Sequence, residues 1–203
     1  MQHPTKVFDE WATLGKDKGM EISHAASVSE ILDYALSRLK TESNYFTFLD
    51  FGCGNGWVAD QISKKDNCSL SIGVDGAENM ILNAKNRKSE AVFYLDDLNS
   101  FESDKKFDLI FSMEVLYYLE NPLTVIEKIK NMLNPKGRFI MGIDHYFEND
   151  ECHDWQEKVG TRMHMFKEEE WLDFFAKSDY KNIFSWRANS NDWAGTLSIT
   201  GTK

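Results

Sequence analysis

Cysteine, proline and positive charge are all scarce in this sequence, and each scarcity removes a class of protein. The three cysteines, Cys53, Cys68 and Cys152, are odd in number and form no C-x-x-C pair. That excludes a disulfide framework and a thiolate zinc site, and no metal site is expected. Three prolines and 12 glycines interrupt 203 residues, with no repeat, low-complexity tract or Gly/Ser linker between them. Residues 1–203 therefore read as one domain. No apolar run approaches the roughly 20 residues that a membrane span needs. The chain opens Met1-Gln2-His3-Pro4, with no basic-then-apolar leader, so a cytoplasmic, reducing location is expected.

Lysine and arginine number 23 against 33 aspartates and glutamates, a net charge of −10. A protein that grips phosphate backbones carries the opposite sign, which argues against a nucleic-acid partner. Short runs such as Lys105-Lys106 and Glu168-Glu169-Glu170 read as solvated surface.

Periodicity supplies the elements. Residues 6–24 read as an irregular or partly helical lead-in, and Ser27 caps a helix to about Leu39. Short apolar runs at 46–50, 70–74, 92–95, 107–113 and 138–143 read as strands. Helical segments are expected at 57–63, 78–87 and from Pro122 to Asn134-Pro135-Lys136-Gly137. Strands alternating with helices make a doubly wound, Rossmann-like parallel sheet. The tail departs from that pattern. A helix at 168–176 precedes strands at 183–188 and 196–202, separated by the polar stretch 189–192. These form an antiparallel hairpin, so the expectation is an α/β fold with seven strands, mostly parallel.

The strongest local signal is Asp50-Phe51-Gly52-Cys53-Gly54-Asn55-Gly56, between a strand and a helix. Glycines let the backbone turn sharply and approach a ligand, and the following helix turns its free N–H groups into the same crevice. A dinucleotide loop needs glycine at the sixth position from Gly52, where Trp57 stands. Cys53 has no basic neighbour to activate it and reads as a small spacer. Asp75 ends the second strand 19 positions after Gly56, placed to accept hydrogen bonds from both hydroxyls of a ribose. Asp96 and Asp97 close the third strand. One of them is placed to accept an adenine amine, with the next backbone N–H donating to a ring nitrogen.

On these motifs the chain resembles the class I S-adenosylmethionine-dependent methyltransferases of the ubiquinone-biosynthesis-like group, over residues 46–147. The resemblance puts the family's first motif at 49–56 and its ribose acid at Asp75, beside Gly76. It puts the adenine acid at Asp97, next to Leu98, with Asp96 where the family often has glycine. Met80 falls on its adenine-packing position. Gly52 and Ser112, the latter in the fourth-strand motif 107–112, would offer backbone to the methionine amino group. The implied cofactor is S-adenosyl-L-methionine.

Methyl transfer from a sulfonium is an in-line displacement that depends mainly on alignment, so a loud catalytic motif is not required. The density of aromatics, methionines and histidines after the fourth and fifth strands and in the lead-in suits a largely apolar pocket with a few polar groups, for a small-molecule acceptor. Glu114, Tyr117 and His145 are the candidate catalytic residues, with Glu114 or His145 orienting or deprotonating the acceptor. Residues 1–24 are expected to form a lid, with Lys16 and Lys18 reaching the methionine carboxylate. Residues 145–170 are expected to form a substrate-side insertion, in a monomer or homodimer. A non-catalytic cofactor-binding protein and a nicotinamide-dependent oxidoreductase are the competing readings.

Overall fold

The computed structural model describes residues 1–41 and 43–203. Seven strands form one sheet: β1 (Phe46–Phe51), β2 (Cys68–Asp75), β3 (Val92–Leu95), β4 (Phe107–Met113), β5 (Leu133–Ile143), β6 (Lys181–Ala188) and β7 (Thr196–Thr202), in the order β3-β2-β1-β4-β5-β7-β6. β1 to β5 pair in parallel, and β7 pairs antiparallel to both β5 and β6. The terminal hairpin is therefore inserted with its second strand inward.

Strand alternation divides the core into two layers. Phe48, Leu109, Phe111 and Ile140 face one side, where they meet α2 (Asp17–Ser37), α3 (Trp57–Ser63) and α4 (Glu78–Lys85). Leu49, Ile110, Phe139 and Met141 face the other, against α5 (Pro122–Met132) and α7 (Glu168–Lys177). Pro122 opens α5, Asn121 caps it by accepting from the Thr124 amide at 3.2 Å, and Val125, Ile126, Ile129 and Met132 are buried along one stripe. In α7, three glutamates in the first turn and Lys177 in the last complement the helix dipole.

The lead-in differs from the sequence expectation. It folds as α1 (Pro4–Thr13) and the first part of α2. Pro4 at the head of α1 is the same start signal as Pro122. Ser27 does not cap a helix. It is buried within α2, 2.8 Å from the Thr196 hydroxyl. β5 also begins earlier than expected, at Leu133, which pairs with Phe107. The register then jumps to Leu109 opposite Arg138, and Lys136 takes φ 65° in the extra loop of chain. A short α6 (Trp155–Val159) lies within residues 145–170.

Gly56 joins the β1 loop to the helical layer. It is left-handed at φ 78°, and a Cβ there would stand 2.6 Å from Phe93 and 2.7 Å from Ala84. Gly56→Ala is expected to cost about 3 kcal/mol in urea unfolding, combining the left-handed backbone with overpacking. Gly160→Ala, at φ 77° in open space, carries only the backbone cost. Equal losses in the two variants would contradict the packing account.

Candidate active site

The strand order reverses direction at β1, which β2 and β4 flank, and in such sheets the crevice lies beyond the carboxyl ends at that point. The β1 loop is shaped by β2. Gly52 and Cys53 both donate their amides to Val74 O, at 2.8 and 2.9 Å. The Gly54 amide donates to Asp75 Oδ2 at 2.9 Å, and the Ala77 amide to Asp75 Oδ1 at 2.8 Å. Each Asp75 oxygen keeps a further acceptor position. Burial raises the Asp75 pKa, opposed by the amides of Ala77, Gly54 and Gly76. A Cβ on Gly54 would project into the crevice with only Met80 Sδ, 4.0 Å away, for company, so the loop presents bare backbone there.

A cavity of about 530 Å³ opens from this loop, within the usual range for a small-molecule site. Gly52, Gly54, Asp75, Gly76, Met80, Asp97, Leu98 and Asn99 line one side. Met113, Glu114, Val115, Tyr118, Leu119, Phe8 and residues 1–5 line the other, with Glu120 and Arg162. A second recess of about 70 Å³ adjoins it, sharing Met20, Gly52, Gly54, Met80, Met113 and Glu114, and adding Asp17, Glu21, His24, Asp50, Cys53 and Asn55.

Several sequence candidates thus meet at one crevice. Asp97 lines the cavity and accepts from the Asn99 amide at 3.0 Å, whereas Asp96 is outside the lining and accepts from the Asp97 amide at 2.8 Å. Gly56 is covered by Phe93 and Ala84, and the Ser112 hydroxyl is turned to Phe51 O at 2.8 Å. Cys53 is buried, and burial pushes its thiol well above the usual range, in keeping with a spacer.

His145 is not brought into this cavity. Its ring lies between Tyr117 and Trp155, with centroids 5.0 and 6.1 Å away, and neither ring nitrogen has a hydrogen-bond partner. Burial drives its pKa down to about 4, so it is a neutral packing residue. Lys16 and Lys18 do not line the cleft either, and both are exposed. The acids of α2 take that place. Asp17 and Glu21 accept from Asn55 Nδ2 at 3.1 and 3.3 Å, and Glu21 also pairs with Arg87. Residues 1–24 and 145–170 touch each other, through Gln2 N donating to Gly160 O at 2.9 Å and the Thr161 hydroxyl donating to Gln2 O at 2.9 Å.

No signal in the sequence joins His24 and Asp144 to Glu114. In the fold their side-chain donor atoms all lie within 4.8 Å of one another. His24 Nε2 is 3.5 Å from Asp144 Oδ2, and the Tyr117 hydroxyl donates to Glu114 Oε2 at 2.7 Å. The Asp144 amide donates to Glu114 Oε1. Burial and the neighbouring Asp144 push the Glu114 carboxyl up to about 8. Glu114 also holds φ 58°, a backbone strain that a packed site must sustain.

A family model described as a methyltransferase domain matches residues 42–185. The chain belongs to the methyltransferase domain family. The chain is 28% identical over 149 residues to malonyl-[acyl-carrier protein] O-methyltransferase 2 of Ilyobacter polytropus, covering 70% of the chain and 52% of that protein. It is 29% identical over 115 residues to the mitochondrial ubiquinone biosynthesis O-methyltransferase of Dictyostelium discoideum, covering 49% and 36%. The chain thus spans about half the length, or less, of these curated relatives. Among solved structures it is similar to a chain in the complex between the Haloferax volcanii Trm112 methyltransferase activator and a methyltransferase, with TM-score 0.83, 25% identity and coverage of 100% and 98%. The N-methyltransferase NodS of Bradyrhizobium japonicum, in complex with S-adenosyl-L-homocysteine, shares the fold, with TM-score 0.65, 21% identity and coverage of 86% and 84%. S-adenosylmethionine is the cofactor of the family. The bare backbone at Gly54, the spare acceptor positions of Asp75 and the apolar Met80 fit an adenosyl group.

Asp50 gives this site a pH signature. Burial, reinforced by Asp75, lifts its pKa from 3.8 to about 8. The native state then holds this proton more tightly than the unfolded chain does. The resulting stability is full below the unfolded pKa and lost as pH rises through 8. Asp50→Asn escapes that loss and is expected to gain on the wild type by more than about 1.4 kcal/mol between pH 5 and 9. Parallel stability curves in chemical denaturation would contradict this.

Proposed function

We propose that this methyltransferase passes the methyl group of S-adenosylmethionine to a small-molecule acceptor by in-line displacement. The observation that carries the reading is one continuous cavity. It joins the Gly54–Asp75 face to an apolar mouth formed by Phe8, Val115, Tyr118 and Leu119. Asp75 would hold the ribose hydroxyls. Asp97 and the Leu98 amide would hold the adenine, with Met80 packed on it. The loop from Asp50 to Asn55 and the backbone at Ser112 would hold the methionine end. S-adenosylmethionine, when bound, supplies a methyl already activated on a sulfonium. The protein's part is then to align an acceptor and exclude water. Glu114, fixed by Tyr117 and by the Asp144 amide, is the polar group at that junction.

Titration calorimetry with S-adenosylhomocysteine tests this. Asp75→Ala removes charge-assisted acceptors and should weaken binding at least about tenfold, with NAD giving no signal. No affinity of the wild type for S-adenosylhomocysteine would sink the proposal.

A second reading, a macromolecular acceptor with an activator subunit, is favoured by the likeness to the Trm112-bound chain and by the edge strand β3, where Val92, Tyr94 and Leu95 are exposed. An apolar edge of this kind suits an added strand. Methyl release from a metabolite panel by the chain alone favours the first reading, and turnover only with an added activator favours the second.

A further inference from the structure

We propose that His24 is the proton acceptor of the reaction and that the acceptor molecule is an amine, recognised as its ammonium by Glu114 and Asp144. This rests on the methyltransferase reading above and names its substrate class. His24 Nδ1 lies 2.8 Å from Met20 O. A carbonyl only accepts, so Nδ1 carries the hydrogen and Nε2 is left to take a proton. Nε2 faces Asp144 Oδ2 at 3.5 Å. The other Asp144 oxygen accepts from the Thr196 hydroxyl at 2.7 Å, and Glu114 accepts from Tyr117 at 2.7 Å. All three side chains are thus held by partners outside the cluster, leaving Nε2 and Asp144 Oδ2 facing each other.

The charge of the cluster selects the ligand. Asp144 faces the imidazole, and Glu114, with its carboxyl pushed up to about 8, adds a hydrogen-bonding oxygen rather than a full charge at pH 7. Asp17 and Glu21 line the same recess, and Arg87 offsets only Glu21. An anionic acceptor is repelled there and a neutral hydroxyl gains little, whereas an ammonium is attracted. One N–H proton of R–NH3⁺ passes to Nε2, where Asp144 stabilises the imidazolium. The bond to Asp144 and its charge raise the His24 pKa against the effect of burial. The freed nitrogen lone pair forms the N–C bond as the C–S pair departs onto sulfur. R–NH2–CH3⁺ leaves, and the proton on His24 returns to solvent.

The test uses the full chain saturated with S-adenosylhomocysteine and three probes of one size: ethylammonium, ethanol and acetate. NMR of the His24 ring reports binding. Ethylammonium should move the ring resonances and lower the His24 pKa, because a second cation beside the imidazolium disfavours it, while ethanol and acetate should leave the ring unmoved. Asp144→Asn, nearly isosteric, should weaken ethylammonium binding about tenfold and leave S-adenosylhomocysteine affinity within about twofold. His24→Gln should keep both affinities and lose methyl release. An unmoved ring with ethylammonium, or equal binding of acetate, overturns the proposal. So does ethylammonium binding that appears only without S-adenosylhomocysteine, since the cluster would then hold the cofactor's own amino group. Failure of S-adenosylhomocysteine to bind at all overturns the parent reading instead.

Discussion

The Gly54 amide and the Asp75 carboxylate tie the ends of two neighbouring strands together, and the geometry of the crevice depends on that bond. Gly52 and Cys53 reach Val74 O because Gly54 is pulled towards Asp75, and the loop then turns sharply enough to start α3 at Trp57. A side chain at Gly52 would overlap Val115, the residue that follows Glu114 in the wall of the cavity. The ends of β1, β2 and β4 are therefore a coupled unit. A backbone shift at any one of them moves the residues that face the ligand.

Much of this was legible because strand ends and glycine loops have strong local signatures. The spans 92–95 and 107–113 are short, apolar and followed by acidic residues, 196–202 alternates polar and apolar residues after Gly195, and the three coincide with β3, β4 and β7. The α2 helix was foreshortened because its first part, 17–26, has no apolar stripe. Asp17 and Glu21 make polar contacts with the glycine loop there, and no periodicity marks such contacts. The histidine was misplaced for a related reason. Asp144 and His145 are consecutive at the end of β5, and consecutive residues leave an extended chain on opposite sides. Asp144 turns to α2 and His145 to the segment at Trp155. The partner of Glu114, His24, lies 90 positions away in sequence, a pairing that only the packed fold makes visible.

The acidic balance of the chain has a local counterpart. Glu114, Asp17, Glu21 and Asp50 line one small recess beside the cofactor loop, and Asp144 lies next to its Glu114 and His24. Burial raises the pKa of Asp50 and Glu114, and the same burial makes the recess responsive to any cation that enters it. Among the described residues, no helix is long and apolar enough to cross a membrane.

A crystal structure with S-adenosylhomocysteine tests the central claim most directly. The account predicts both ribose hydroxyls within hydrogen-bonding distance of the Asp75 carboxylate, with the adenine beside Asp97 and Leu98 and the backbone of Gly54 against the ligand. A nucleoside bound elsewhere, with the Asp75 carboxylate facing only Gly54 and Ala77, would contradict it.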